Sequence, residues 1–259
     1  MEGAGAYPRP GPSSGAGRGG AARLYGGSGH DYLSGGADDD TLVGGSGHDI
    51  LRLGSGRNLA YGGEGTNQFQ HGDGDDTAFG GAGTDWFLSD TVAGGRLVAY
   101  GGSGQDRFAL DGGDYDVTGH GGSGEDFLQG VSGDDLLSGG AGDDHLRSSM
   151  GIDSFVGGEG RDAVMLRQPK GDADHWVDFS MAEGDYIDIY HMDGAATAKG
   201  QPGEGFVRLL DVRLEDGTEA VAVEVDSDGG GDHYERLLYL HDQKVVDLEG
   251  YDLFGYDAV

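Results

Sequence analysis

The chain has 259 residues, with 57 glycines, no cysteine and 47 acidic against 16 basic side chains, a formal net charge of −31 at pH 7. That balance excludes nucleic acid and anionic membrane surfaces as partners and favours cations, and the lack of cysteine excludes disulfides and thiolate metal sites. The glycines do not recur at every third position, which excludes a collagen helix, and no apolar stretch reaches the length of a transmembrane segment. Residues 1–23, MEGAGAYPRPGPSSGAGRGGAAR, have scattered arginines and prolines but no apolar h-region. They do not read as a Sec signal peptide, and a disordered leader is expected there.

From Leu24 to Met165 aspartates recur every nine residues. Asp31, Asp40, Asp49, Asp76 and Asp85 share one frame, and Asp126, Asp135, Asp144, Asp153 and Asp162 share another. The best copies read GGSGHDYLS from Gly26, GGSGHDILR from Gly44, GGAGTDWFL from Gly80, GGSGQDRFA from Gly101, GGSGEDFLQ from Gly121 and GGAGDDHLR from Gly139. A fixed period of this kind marks a repeat architecture. Paired glycines reach backbone angles closed to other residues, so the chain can turn tightly and aim several carbonyls at one point. Carbonyls plus carboxylates, without sulfur or regular histidine, suit a hard cation of calcium size. After each turn one apolar residue must point inward. Leu33, Leu42, Leu51, Phe69, Phe87, Phe108, Leu128, Leu137, Leu146, Phe155 and Val164 fill that slot, and a continuous core results only when coils stack. Without cations the stacked aspartates would repel, so folding is expected to depend on metal.

The departures are equally readable. Asn58 and Asn67 replace the aspartate, keeping an oxygen but losing its charge, so weaker sites are expected there. Alanine fills the apolar slot at Ala60 and Ala78, which predicts an under-packed middle. Spacings of 21 and 20 residues flank Asp106. They break the frame around 89–100 and 110–120, and leave the role of Asp106 open.

Over Leu24 to Met165 the chain resembles the RTX family, bacterial calcium-binding nonapeptide-repeat proteins. The resemblance implies an all-β fold, a right-handed parallel β-roll (RTX β-helix), with a small antiparallel β cap domain after it. Two repeats then make one coil, and each turn stacks on the turn two repeats away with calcium between them. Carried onto this sequence, that pairs Asp31 with Asp49, Asp126 with Asp144, Asp135 with Asp153, and Asp144 with Asp162, the last residue ending its row. Several Ca2+ ions are implied. The turn glycines implied around them are Gly26, Gly27, Gly29, Gly44, Gly45, Gly47, Gly80, Gly81, Gly83, Gly121, Gly122, Gly124, Gly133, Gly139, Gly140, Gly142, Gly157, Gly158 and Gly160. Asp40, Asp76, Asp85 and Asp106 complete the implied metal set.

From residue 166 to 259 glycine thins, all three lysines (Lys170, Lys199, Lys244) appear, and FVRLLDVRL, EAVAVEV and RLLYLHD read as antiparallel strands of a cap. HWVDFSMAEGDYIDI from His175 resembles the D-F-x-x-x-x-G-D-x-I-D-[LI] signature that follows RTX arrays in secreted proteases and type I secretion substrates, and DLFGYDAV resembles their C-terminal targeting end. Type I export, with calcium and the type I secretion apparatus as partners and an extracellular location, is what that resemblance implies. Asp226, Asp228 and Asp232 start like an EF-hand, but Leu237 stands where its bidentate glutamate belongs. A hairpin turn is the simpler reading. His30 and His48 hold equivalent repeat positions, and with Tyr32, Tyr61 and Trp86 they read as surface residues. Asp172, Asp174, His175 and Asp178 read as turn and strand-edge residues rather than an acid–base set. No H-E-x-x-H, G-x-S-x-G or P-loop motif is present. A secreted non-enzymatic module of structural, adhesion or interaction type is therefore expected. The alternatives are the tail of a serralysin-like protease, lipase or alginate epimerase, or a small RTX toxin or bacteriocin.

Overall fold

The computed structural model describes residues 9–17, 19–166, 173–188, 207–226, 234–248 and 253. Its strands are β1 (Arg9–Pro10), β2 (Ser14–Ala16), β3 (Arg23–Gly29), β4 (Tyr32–Gly36), β5 (Thr41–Gly47), β6 (Ile50–Gly54) and β7 (Leu59–Glu64). Then come β8 (Gln68–Ala82), β9 (Trp86–Ser103), β10 (Arg107–Ala109), β11 (Asp116–Ser123), β12 (Phe127–Gln129), β13 (Leu136–Ala141) and β14 (His145–Arg147). β15 (Ser154–Glu159), β16 (Ala163–Met165), β17 (Asp174–Trp176) and β18 (Tyr186–Asp188) follow, with β19 (Val207–Arg213), β20 (Glu219–Asp226), β21 (Tyr234–His241) and α1 (Val245–Leu248) last.

Each strand through β16 pairs in parallel with the strand one coil on. Arg23 faces Thr41, Tyr32 faces Ile50, and Leu136 faces Ser154, an 18-residue register that makes two nonapeptides one coil. The result is a parallel β-solenoid of about eight turns. One face carries β3, β5, β7, β11, β13, β15 and β17 with the second halves of β8 and β9. The other carries β4, β6, β10, β12, β14, β16 and β18 with their first halves.

Alternation within each short strand sends one residue inward, and register stacks those residues into two facing rows. The first runs Leu24, Leu42, Ala60, Ala78, Ala99, Gly119, Leu137, Phe155, Trp176. The second runs Leu33, Leu51, Phe69, Phe87, Phe108, Leu128, Leu146, Val164, Ile187. The middle is not under-packed, contrary to the expectation from Ala60 and Ala78. The small residues of one row coincide with Phe69, Phe87 and Phe108 of the other, whose rings stack 4.8 and 4.4 Å apart. A methyl group at Gly119 would already press on Phe108 at 3.3 Å. Volume is conserved across the layer rather than along each row.

Two boundaries differ from the sequence reading. Within the expected disordered leader, β1 pairs with β3 and β2 with β4, and Ala22 joins the core. Even residues without the repeat signature can satisfy the open edges of the next coil. At the other end the parallel stack continues past residue 165, because β17 and β18 pair with β15 and β16. The expected antiparallel strands are present: β19, β20 and β21 form a meander, and β21 pairs in parallel with β17, so the meander prolongs the first face. Among the described residues no helix is long and apolar enough to cross a membrane.

Candidate metal centre

The coil turns at two edges. At the first edge, each turn runs from a glycine pair to an aspartate five residues on, as from Gly26 to Asp31. Gly27 and Gly29 there have φ of 110° and 117°, which a side chain would disfavour. The aspartates of successive turns form one column: Asp31, Asp49, Asn67, Asp85, Asp106, Asp126, Asp144, Asp162 and Asp185. Each Oδ1 accepts the backbone N–H of the preceding member, at 2.8 Å from Asp31 to Asp49, 2.7 Å from Asp85 to Asp106, 2.6 Å from Asp106 to Asp126, and 2.9 Å from Asp144 to Asp162. The irregular spacings around Asp106 therefore leave this column intact. The extra residues are absorbed at the opposite edge, where β8 and β9 run on as continuous strands and the ladder from Asp73 to Asp76 pairs with 94–97.

The second oxygens are the chemically informative atoms. Oδ2 of Asp31, Asp49, Asp85, Asp106, Asp126, Asp144 and Asp162 is buried without a hydrogen-bond partner, in residues no more than 2% exposed. The first glycine of each turn leaves the space they use. A Cβ at Gly26 would collide with Asp31 Oδ2 and lie 2.6 Å from the Gly44 carbonyl oxygen, and Gly44 and Gly121 repeat the arrangement with Asp49 and Asp126. A column of buried carboxylate oxygens with no donor is costly unless cations meet it. Burial pushes the carboxyls of Asp85 and Asp162 up to about 6 and those of Asp106 and Asp144 up to about 7. The charges of neighbouring column members add to the shift at Asp106 and Asp144. Among the described residues no three His, Cys, Asp or Glu side chains converge, so a cation here would complete its shell with the stacked glycine carbonyls. Those oxygens, and the unpartnered Oδ2 atoms, fit calcium.

Asn67 does more than lose charge. Its Oδ1 takes the Asp49 N–H at 3.1 Å, which leaves Nδ2, a donor, buried where the other turns present Oδ2. A Cβ at Gly62 would meet that nitrogen at 2.6 Å, as one at Gly44 would meet Asp49 Oδ2.

The second edge differs. Its column runs Ala22, Asp40, Asn58, Asp76, Leu97, Val117, Asp135, Asp153 and Asp174, in the same Oδ1-accepting register. Asp40 alone of these aspartates has an unpartnered buried Oδ2. The implied pair Asp135 and Asp153 is stacked as expected, but both second oxygens already have donors within the chain: Val131 N–H at 2.9 Å for Asp135 and Ser149 N–H at 2.9 Å for Asp153. Asp76 Oδ2 is met at 2.7 Å by Nδ1 of His71.

Sequence reasoning missed Asp174 and Asp185, which continue the two columns. Asp162 is therefore not the end of its row. Asp185 Oδ1 accepts the Asp162 N–H at 2.9 Å, and spacings of 21 and 23 residues hid both. Gly184–Asp185 in the D-F motif was the available signal. The same motif supplies core residues Phe179 and Ile187, while Asp178 accepts N–H bonds from Gly157, Gly158 and Trp176. The acid–base reading of this stretch has no geometric support among its described members, and Asp172 lies outside the described residues. So do Asp228, Asp232 and, apart from Leu253, the terminal DLFGYDAV. Asp226 is buried opposite Tyr234 in the β20–β21 ladder. His30 and His48 stack at 4.9 Å, but His48 Nδ1 takes the Thr66 N–H at 3.0 Å. Tyr61 stacks not with Tyr32 or Trp86 but in a ladder with Phe79, Tyr100 and His120.

A family model, RTX calcium-binding nonapeptide repeat (4 copies), matches the chain at residues 17–51, 43–78, 53–87, 61–96 and 120–155. No curated protein matches.

Proposed function

Because residues 17–96 and 120–155 belong to the RTX calcium-binding nonapeptide repeat family, we propose that the protein is a secreted module whose roll folds when calcium fills its first edge. The observation that carries the reading is the column of buried Oδ2 atoms from Asp31 to Asp162 without donors. A folded roll with those oxygens ionised and unmet is penalised, and each ion that binds the stacked turns but not the unfolded chain stabilises the fold by mass action. Calcium concentration then acts as a compartment signal. The chain stays unfolded where calcium is scarce and orders where it is millimolar, the range that serves extracellular modules. Export by a type I apparatus, reading a C-terminal signal, fits this logic and is supported by the D-F-x-x-x-x-G-D segment. The role after folding is structural or adhesive rather than catalytic, in keeping with the want of any catalytic motif.

Circular dichroism during a calcium titration tests the core of this proposal. The β signal should rise steeply with calcium and fall on adding chelator. Equal β signal in chelator and in millimolar calcium would overturn it. Export is tested separately by deleting residues 235–259, which should keep the protein out of the medium.

A further inference from the structure

The two edges of the roll share a register and an aspartate column, yet they treat the second carboxylate oxygen in opposite ways. In open turns the second residue is a glycine with positive φ, 118° at Gly122 and 121° at Gly140. In the turns leading to Asp135 and Asp153 that position is Val131 and Ser149, and neither has positive φ. Reversing the sign of φ reorients the preceding peptide plane. The N–H of Val131 consequently points at Asp135 Oδ2, and that of Ser149 at Asp153 Oδ2, both at 2.9 Å. The Ser149 hydroxyl adds a bridge across the two coils, 3.2 Å from Asp135 Oδ2 and 3.3 Å from Asp153 Oδ2, with the Val131 carbonyl also in contact. It stands between two stacked carboxylates, where an inter-coil cation would otherwise sit.

His71 repeats the device by other means. It occupies the first position of its turn, five residues before Asp76, where open turns have glycine. With the carboxylate able only to accept, Nδ1 carries the hydrogen toward Asp76 Oδ2. The ring is 1% exposed and packs on Tyr115 at 4.9 Å. The neighbouring column members at Leu97 and Val117 offer no carboxylate at all.

We propose that the second edge, from Asp76 to Asp153, is sealed by the chain itself: His71, Val131 and Ser149 direct N–H donors onto the carboxylate oxygens that on the first edge are left for a cation, so this stretch takes no calcium. The inference rests on the calcium reading of the first edge. It makes the residues at the first two turn positions the determinants of whether a turn opens to an ion, His71 at the first and Val131 and Ser149 at the second, a specificity role that an aspartate count misses.

The test counts calcium per full-length chain by equilibrium dialysis at saturating calcium. Asp135→Ala and Asp144→Ala form a matched pair, since each removes one Oδ1 that accepts a backbone N–H, from Val117 and Asp126 respectively. Asp144→Ala should lower the count by at least one ion, and Asp135→Ala should leave it unchanged. Val131→Gly with Ser149→Gly should raise it by one. A lower count for Asp135→Ala overturns the sealing, as does an unchanged count for a folded double-glycine chain. If the double-glycine chain fails to fold, the aspartate pair still decides. An unchanged count for Asp144→Ala overturns the calcium reading of the first edge, and with it the inference built on it.

Discussion

Glu224 in β20 and Asp144 in the roll are both buried carboxylates, 4% and 0% exposed, with opposite surroundings. Glu224 receives Arg236 on Oε1 at 2.7 and 2.9 Å and Arg208 on Oε2 at 2.6 and 2.7 Å, and the two guanidiniums lie over Tyr234 and Tyr239. Burial raises its carboxyl, but the arginine bonds outweigh that and hold it below the ordinary glutamate range. Asp144 has a backbone donor on one oxygen and nothing on the other, and burial pushes it up to about 7. The meander brings its own cations. The roll borrows them, so one region should be stable at a given calcium activity and the other should not.

The largest expected effect that sharpens this contrast is in the roll's core. Phe87→Ala opens a cavity between Phe69 and Phe108 opposite alanines that cannot fill it, at a cost of about 3–5 kcal/mol. Its calcium midpoint should rise by more than tenfold in a dichroism titration, and an unchanged midpoint would mean that the ions, not the layer packing, dominate cooperativity. Arg236→Ala comes next. Its guanidinium is about two-fifths exposed, and removing it leaves Glu224 with one arginine, so about 1–2 kcal/mol should be lost. That loss should be the same at low and saturating calcium, measured by urea unfolding followed through hydrogen exchange of β20 and β21. A cost that grows with calcium would join the two regions energetically.

The smallest effect is in pH. Folded-state values raised above the ordinary 3.8 mean that protons favour the metal-free roll. That contribution is full below about 4 and is lost as pH rises through 6 to 7, the range of Asp85, Asp106, Asp144 and Asp162. In chelator, β signal at pH 5 should exceed that at pH 8. Glu224 has the opposite sign: its depressed value gives stability above the ordinary glutamate pKa, lost only on acidification below it. A metal-free chain with less β structure at pH 5 than at pH 8 would contradict the assignment of the column.

The nine-residue period made the inward slots legible because they depend on local spacing, whereas the two-repeat coil and the stacking of the first-edge column came from the RTX resemblance. The small-against-large pairing of Ala78 with Phe87 was not legible, since it depends on residues nine apart facing across the core rather than along it. Asp174 and Asp185 were hidden because their coils lengthen to 21 and 23 residues while the hydrogen-bond register is kept. The sealed edge was hidden for a subtler reason. Val131 and Ser149 looked like lapses from a glycine pattern, whereas their backbone angles turn two N–H groups onto the carboxylates. β1 and β2 lacked any repeat signature and owe their strands to the coil they cover.

The 18-residue register also fixes how the molecule yields to force. Each coil pairs only with its neighbours, so a pull on the N-terminal end peels the stack rather than shearing it. At about 3.3–3.6 Å per extended residue, each coil released lengthens the chain by roughly 60 Å. The peeling meets a different joint at β17, which pairs on one side with β15 and on the other with β21 of the meander. A tether held at both ends should therefore lengthen in a regular staircase and then stall, with the C-terminal strands left as the anchor from which the coils can wind back.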